Sequence, residues 1–98
     1  CYLNNNKLTF FPSQPNMERC NLSNNEIFIF HVQPKMTHCN LSNNKLITFS
    51  SKQQPMLMSC DLSYNKLTKF IGKETNKYNL RNNYLDEKTM KKYHDFEV

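Results

Sequence analysis

The chain has 98 residues, of which 38% are hydrophobic, with one glycine and no tryptophan. A compact globule of this size would need a larger apolar share for a single core, so a repetitive architecture is favoured. The single glycine excludes a glycine-rich phosphate loop, and no apolar run reaches membrane-spanning length. The net charge of +5 suggests nucleic acid or an acidic surface as a partner, but scattered lysines favour a solvated face.

One apolar position recurs at intervals of 18 to 21 residues along the whole chain. It is occupied by Cys1, Cys20, Cys39, Cys60, Tyr78 and Phe96. The position two residues later is also apolar, at Leu3, Leu22, Leu41, Leu62, Leu80 and Val98. Because side chains alternate along a strand, each pair predicts a short strand that buries both residues and needs neighbouring repeats to cover it.

An asparagine follows each predicted strand, at Asn6, Asn25, Asn44, Asn65 and Asn83. A short amide can donate to and accept from the backbone of adjacent repeats, so this column is predicted to be a structural ladder. Asn43 precedes the ladder residue of its repeat and points outward in this prediction. Its replacement is therefore expected to change stability little.

Two further columns describe the opposite side of each repeat. A phenylalanine lies five residues beyond the asparagine, at Phe11, Phe30, Phe49 and Phe70. Pro15, Pro34 and Pro55 precede the next predicted strand. Proline fixes φ and removes a donor, which predicts an extended segment there, and so short a repeat has no room for a long helix.

The segment from Asp86 to Lys92 has acidic residues first and lysines last, which predicts one or two helical turns. The spacing of Tyr93, Phe96 and Val98 then resumes the repeat frame. A helical linker leading out of the repeats is the alternative for this end.

Taken together, the columns read L-x-x-L-x-L-x-x-N-x-L, with Met36 and Cys39 in place of the first two leucines in the third repeat. The chain resembles the leucine-rich repeat superfamily, short-period type, over essentially all of residues 1–98. The resemblance implies a right-handed α/β-type solenoid, with short parallel strands on the concave side and irregular or 3₁₀ backbone on the convex side. Departures are cysteine for leucine, Thr75 at an apolar position and Lys88 in the phenylalanine column. Because the chain begins and ends inside predicted strands, we expect a fragment truncated at both ends.

The cysteines fall in one inward column, where neighbouring parallel strands lie about 4.8 Å apart. That spacing makes a disulfide conceivable, but disulfide geometry is demanding, and buried free thiols are the preferred interpretation. Unpaired cysteines slightly favour an intracellular location. The glycosylation sequons at Asn21 and Asn40 keep a secreted protein possible, so the localisation stays open.

No catalytic constellation is evident, so we expect no enzyme, and neither a cofactor nor a metal, because the cysteines lie a repeat apart. The outward strand positions, including Ser23, Ser42 and Ser63, are predicted to form a polar concave face. The candidate ligand-binding residues on it are Arg19, His38, Asn40, Asp61, Lys77, Asn79 and Arg81. This face predicts a protein–protein interaction module that recognises a protein or peptide.

Two alternatives remain open from the sequence. One is a structural spacer inside a larger effector or enzyme. The other is a binder of nucleic acid or anionic surfaces through the basic C-terminal half, with nucleic acid disfavoured as a partner.

Overall fold

The computed structural model describes residues 1–93 and Phe96. The chain winds as a solenoid of parallel strands through about four turns. The strands are β1 (Phe10–Phe11), β2 (Arg19–Asn21), β3 (Ile29–Phe30), β4 (His38–Asn40), β5 (Thr48–Ser50), β6 (Ser59–Asp61), β7 (Lys69–Ile71) and β8 (Lys77–Asn79). One helix, α1 (Glu87–Lys92), lies near the C-terminal end of the described residues. The predicted repeat solenoid with parallel strands is confirmed.

The main sheet has four strands in the order β2-β4-β6-β8, all parallel. Its register places Cys20 beside Cys39, Cys39 beside Cys60, and Cys60 beside Tyr78. The anchor residues are therefore in one column, and all four are buried. At the first anchor, Tyr2 forms an isolated parallel bridge to Asn21. Each strand buries its central residue, as alternation requires.

The opposite side of the solenoid differs from the sequence prediction. A 3₁₀ turn is present at Ser51–Gln53, but short parallel strands also form there, with β1 paired to β3 and β5 to β7. The phenylalanine column explains these strands, because their inward rings stack in pairs. Phe11 and Phe30 have ring centroids 5.9 Å apart, and Phe49 and Phe70 have centroids 6.0 Å apart. The solenoid is thus built from strands on two sides, with almost no helix.

The prolines lie in β-turns rather than in extended segments. In each turn a glutamine comes first and proline second, and the fourth residue donates its N–H to the glutamine carbonyl. The Met36 N–H to Gln33 carbonyl distance is 3.3 Å, and the Leu57 N–H to Gln54 carbonyl distance is 3.2 Å. Proline suits the second position because its φ is already that of the turn. The prediction of extended backbone at these residues was wrong.

The predicted helix between Asp86 and Lys92 is confirmed, since Asp86 caps α1 by accepting from the Thr89 N–H at 2.8 Å. Tyr93 follows the helix and packs edge-on against Phe70, with centroids 5.0 Å apart. Phe96 packs edge-on against the ring of Tyr78, the preceding anchor residue, with ring centroids 5.4 Å apart. Val98, predicted to point inward, lies outside the described residues, as do His94, Asp95 and Glu97.

Aromatic rings crowd the only glycine in the chain. A Cβ added to Gly72 would lie 2.6 Å from a Phe70 ring carbon and 2.9 Å from a Tyr78 ring carbon. The Gly72 N–H also donates to the Tyr93 hydroxyl at 3.2 Å. Gly72 therefore lets the backbone approach this aromatic cluster closely, which no other residue would allow without displacing the rings.

The parallel register also corrects the prediction about the cysteines. Cys1 and Cys20 form a disulfide, with their Cα atoms 4.4 Å apart, while Cys39 and Cys60 are buried free thiols. The prediction of free thiols was wrong for the first pair, because adjacent turns bring these cysteines within the range of a disulfide. The argument for an intracellular location from unpaired cysteines is weakened accordingly.

Candidate functional site

The asparagine column joins adjacent turns through both ends of each amide. Asn44 donates from Nδ2 to the carbonyls of Leu22, Leu41 and Ser42 at 3.0–3.2 Å, and its Oδ1 accepts from the Ile27 N–H at 3.0 Å. Equivalent sets of bonds surround Asn25, Asn65 and Asn83. Asn6 is exposed and donates only to carbonyls of its own turn, those of Leu3 and Asn4.

The residue before each ladder asparagine has a left-handed backbone conformation. Its φ is positive at Asn5, Asn24, Asn43, Tyr64 and Asn82, with values from 55° to 60°. Asparagine tolerates this region better than most residues, whereas a bulky side chain is strained in it. Asn43 was predicted to be replaceable, but its φ of 55° disfavours most substitutions.

A second amide ladder, which was missed from the sequence, runs through the β-turns. Gln33 and Gln54 are fully or almost fully buried. Gln33 Oε1 accepts from the Gln14 N–H at 2.9 Å, and Gln54 Oε1 accepts from the Gln33 N–H at 3.0 Å. The signal was present in the sequence, because glutamine precedes proline in three successive repeats at Gln14, Gln33 and Gln54. These glutamines join the β-turns of successive repeats, away from the main sheet.

Two columns of outward side chains run along the main sheet, and we call them together the polar strip. The first column is Arg19, His38, Ser59 and Lys77. The second column is Asn21, Asn40, Asp61 and Asn79. Neighbouring members of a column are about 5 Å apart because they sit in register on adjacent parallel strands. Six of the seven predicted ligand-binding residues therefore lie together, and Arg81 lies beyond the end of β8.

The second column is held in place by the residues two positions later. Asn40 Oδ1 accepts from the Ser42 N–H at 3.0 Å and from the Ser42 hydroxyl at 2.7 Å. Ser23 and Ser63 donate in the same way to Asn21 and Asp61. These serines were predicted to point outward, but they are buried, because their hydroxyls turn back to the strand.

This anchoring decides which groups the second column can offer to a ligand. The Oδ1 atoms of Asn21, Asn40 and Asn79 accept hydrogen bonds from the chain itself. In the described part of the chain, no hydrogen bond engages the Nδ2 groups of Asn21 and Asn40. They can donate to a bound molecule, while the second carboxylate oxygen of Asp61 adds the one acceptor with a full negative charge in the column.

The first column is richer in donors. Arg19 and Lys77 are exposed at its two ends, with the half-buried His38 and Ser59 between them. His38 Nδ1 lies 3.0 Å from the Thr37 hydroxyl, which itself donates to the Glu18 carbonyl at 3.1 Å. The imidazole is thereby oriented with Nε2 away from Thr37. The first column thus presents a guanidinium, an imidazole, a hydroxyl and an ammonium group in sequence.

The strip lines two shallow grooves. Arg19, His38, Asn40 and Asp61 line one of about 320 Å³. Asp61, Lys77 and Asn79 line a second groove of about 580 Å³, which also contacts Phe96. The two grooves share Asp61 and Ser59, so together they follow the stacking direction of the strands. An elongated, shallow depression lined by both polar and apolar surface suits an extended chain better than a compact small molecule.

The two free thiols, Cys39 and Cys60, are buried. Burial raises the pKa of the Cys60 thiol, and its hydrogen bond with Cys39 raises it further, so the reactive thiolate is disfavoured. Within residues 1–93 and Phe96, no group of three or more histidine, cysteine or acidic residues could hold a metal ion. No helix in the described residues is long and apolar enough to cross a membrane.

Comparison of the chain with protein families, curated proteins and solved structures found no match.

Proposed function

We propose that the chain is a leucine-rich-repeat-type scaffold that binds an extended protein or peptide segment along the polar strip. The observation that carries this proposal is the register of the main sheet, which stacks outward donors in two straight columns. A segment lying across the strands could meet one repeat after another. The strip would be the concave side of a right-handed, short-period solenoid in this proposal.

The charges on the strip favour a partner segment rich in acidic groups. Arg19 and Lys77 are exposed, and Asn21 and Asn40 add neutral donors. Asp61 breaks this series in the third strand, so a ligand with a donor or cation at that point would fit best. Charge complementarity of this kind fixes orientation and accelerates association more than it adds affinity.

The test begins with a peptide library displayed on phage, selected against the wild-type chain. The variant Arg19→Glu/Lys77→Glu reverses the two ends of the first column. We expect it to weaken binding of the selected peptides by roughly tenfold or more, since two favourable charge contacts become repulsive. Titration calorimetry with synthetic peptides measures the change.

The matched control is Lys66→Glu/Lys69→Glu, which makes the same change in charge on the other side of the solenoid. We expect this control to bind the selected peptides as the wild type does. Loss of binding in the control with retention in the strip variant would refute recognition through the strip. Failure to select any peptide would favour the structural spacer.

A further inference from the structure

The side of the solenoid opposite the main sheet carries a row of exposed apolar side chains. We define the second face as the outward residues of segments 7–10, 26–29, 45–48 and 66–69. Its apolar members are Phe10, Phe28, Ile29 and Ile47, which are 53%, 54%, 43% and 55% exposed. In β1 and β3 the neighbouring Phe11 and Phe30 pack with the core, whereas these four residues lie outside the core cluster and are about half exposed.

Backbone pairing makes the row contiguous. Phe10 and Ile29 are register partners in the pairing of β1 with β3. The Phe28 N–H donates to the Thr9 carbonyl at 2.9 Å, and the Lys45 N–H donates to the Ile27 carbonyl at 2.9 Å, so segments 7–10, 26–29 and 45–48 lie side by side. Contiguous exposed apolar residues of this kind mark a surface that another molecule covers.

The same face is positively charged. Lys7, Lys45 and Lys66 follow the ladder asparagines of their repeats, and Lys69 is the register partner of Thr48. Its one acidic residue, Glu26, forms an ion pair with Lys45 at 3.6 Å. Four lysines and one paired glutamate therefore surround the apolar row.

We propose that the second face docks on an anionic lipid bilayer. Phe10, Phe28, Ile29 and Ile47 would enter the boundary between headgroups and acyl chains, while the lysines contact lipid phosphates. Anionic lipid offers both complements of this face at once, because it carries negative headgroups immediately above apolar chains. A protein partner would need matching acidic and apolar groups in one fixed arrangement.

Docking in this orientation leaves the polar strip exposed. The anchors of the main sheet and the phenylalanines of the second side point into one shared core, so the two surfaces face opposite ways. The proposal does not depend on peptide binding, and each can fail without the other.

The experiment is co-sedimentation of the chain with vesicles, because the absence of tryptophan rules out intrinsic tryptophan fluorescence as a probe. Vesicles of phosphatidylcholine mixed with phosphatidylserine are compared with vesicles of phosphatidylcholine alone, at low and high salt. We expect binding to the mixed vesicles at low salt and weaker binding at high salt, where the lysine contacts are screened.

Two variants of the second face test the contacts. Phe28→Ser/Ile47→Ser removes apolar groups, and Lys66→Glu/Lys69→Glu reverses charge. Each is expected to lower partitioning by about tenfold or more. Two control variants carry changes of the same kind elsewhere. Tyr2→Ser/Met58→Ser replaces exposed residues beside the main sheet, and Arg19→Glu/Lys77→Glu reverses charges on it; both should partition as the wild type does. Circular dichroism melting verifies that every variant is folded.

Three results would overturn the proposal. The first is a wild-type chain that stays in the supernatant with the mixed vesicles. The second is equal loss of partitioning in the second-face variants and their controls. The third is a wild-type chain that binds no vesicles but forms a dimer in sedimentation equilibrium, while the Phe28→Ser/Ile47→Ser variant is a monomer. The second face would then pair two copies of the chain.

Discussion

Two adjacent asparagines, present in every repeat but the fourth, have different physical roles. The amide of Asn44 makes four hydrogen bonds to backbone groups in its own and neighbouring turns, whereas Asn43 supplies a backbone with positive φ. The sequence could predict the first role, because a buried turn needs an amide that both donates and accepts. It could not separate the second role, since two neighbouring asparagines look alike until the backbone conformation is known.

Replacing Asn44 by Ala should lower the free energy of unfolding by about 1–3 kcal/mol, because buried backbone groups lose their partners. Asn43→Gly keeps the left-handed conformation, so the free energy of unfolding should change by no more than about 0.5 kcal/mol. Urea denaturation of both variants measures the difference. Equal losses would contradict the separation of roles.

Tyr64 occupies the position that is asparagine in the other turns, with φ of 57°. Tyr64→Asn should raise the free energy of unfolding by about 1 kcal/mol, because asparagine relieves strain of this order. Tyr84→Asn is the control, since Tyr84 is even more exposed and lies outside the positive-φ positions. A lower melting temperature for Tyr64→Asn than for the wild type would argue against strain at this residue.

Among the elements, the four strands of the main sheet followed from the spacing of Cys20, Cys39, Cys60 and Tyr78. The strands of the second side did not, because each packs a single residue, the phenylalanine, against the core, and no second buried apolar residue two positions away marks a strand. The glutamine ladder was missed although the Gln-Pro pair recurs, because glutamine is usually exposed and the burial of Gln33 and Gln54 becomes evident only in the fold. The column placed the four cysteines within reach of their neighbours, but it could not decide which pair would be bonded, and Cys1 and Cys20 are the pair that is.

Helix α1 depends on its cap. The Thr89 N–H and then the Thr89 hydroxyl donate to the Asp86 carboxylate, and these bonds hold its pKa below the usual value. Because the pKa of Asp86 is lowered in the folded state, the charged cap contributes its full stabilisation at pH values above the ordinary aspartate pKa. This stabilisation is lost as the pH falls through the lowered pKa of the folded state.

We therefore expect acidification to fray α1 in the wild type. In NMR hydrogen-exchange measurements, the Thr89 amide should then exchange faster, relative to an uncapped amide at the same pH. Asp86→Asn is the matched variant, because asparagine also caps helices but does not titrate in this range. In this variant, the protection of the Thr89 amide from hydrogen exchange should stay the same across the acid range. Loss of protection at the same pH in both chains would show that the Asp86 charge has no part in the cap.

At the scale of the whole molecule, both proposed surfaces follow from one property of the solenoid. Every turn repeats the same register, so equivalent outward residues become columns on each side of the core. The sequence predicted the columns of the main sheet, and the apolar row of the second face emerged only when β1 and β3 placed Phe10 beside Ile29. A spacer would need neither surface, which makes direct mapping of a bound ligand decisive.

The central claim is that a ligand lies along the polar strip. The most direct test is an NMR titration of the labelled chain with a peptide selected against it, following backbone amide shifts. We predict a continuous line of shifted amides through Arg19, His38, Ser59 and Lys77, with Phe28 and Ile47 unchanged. Shifts centred on Phe28 and Ile47, with the four strip residues unaffected, would contradict the account.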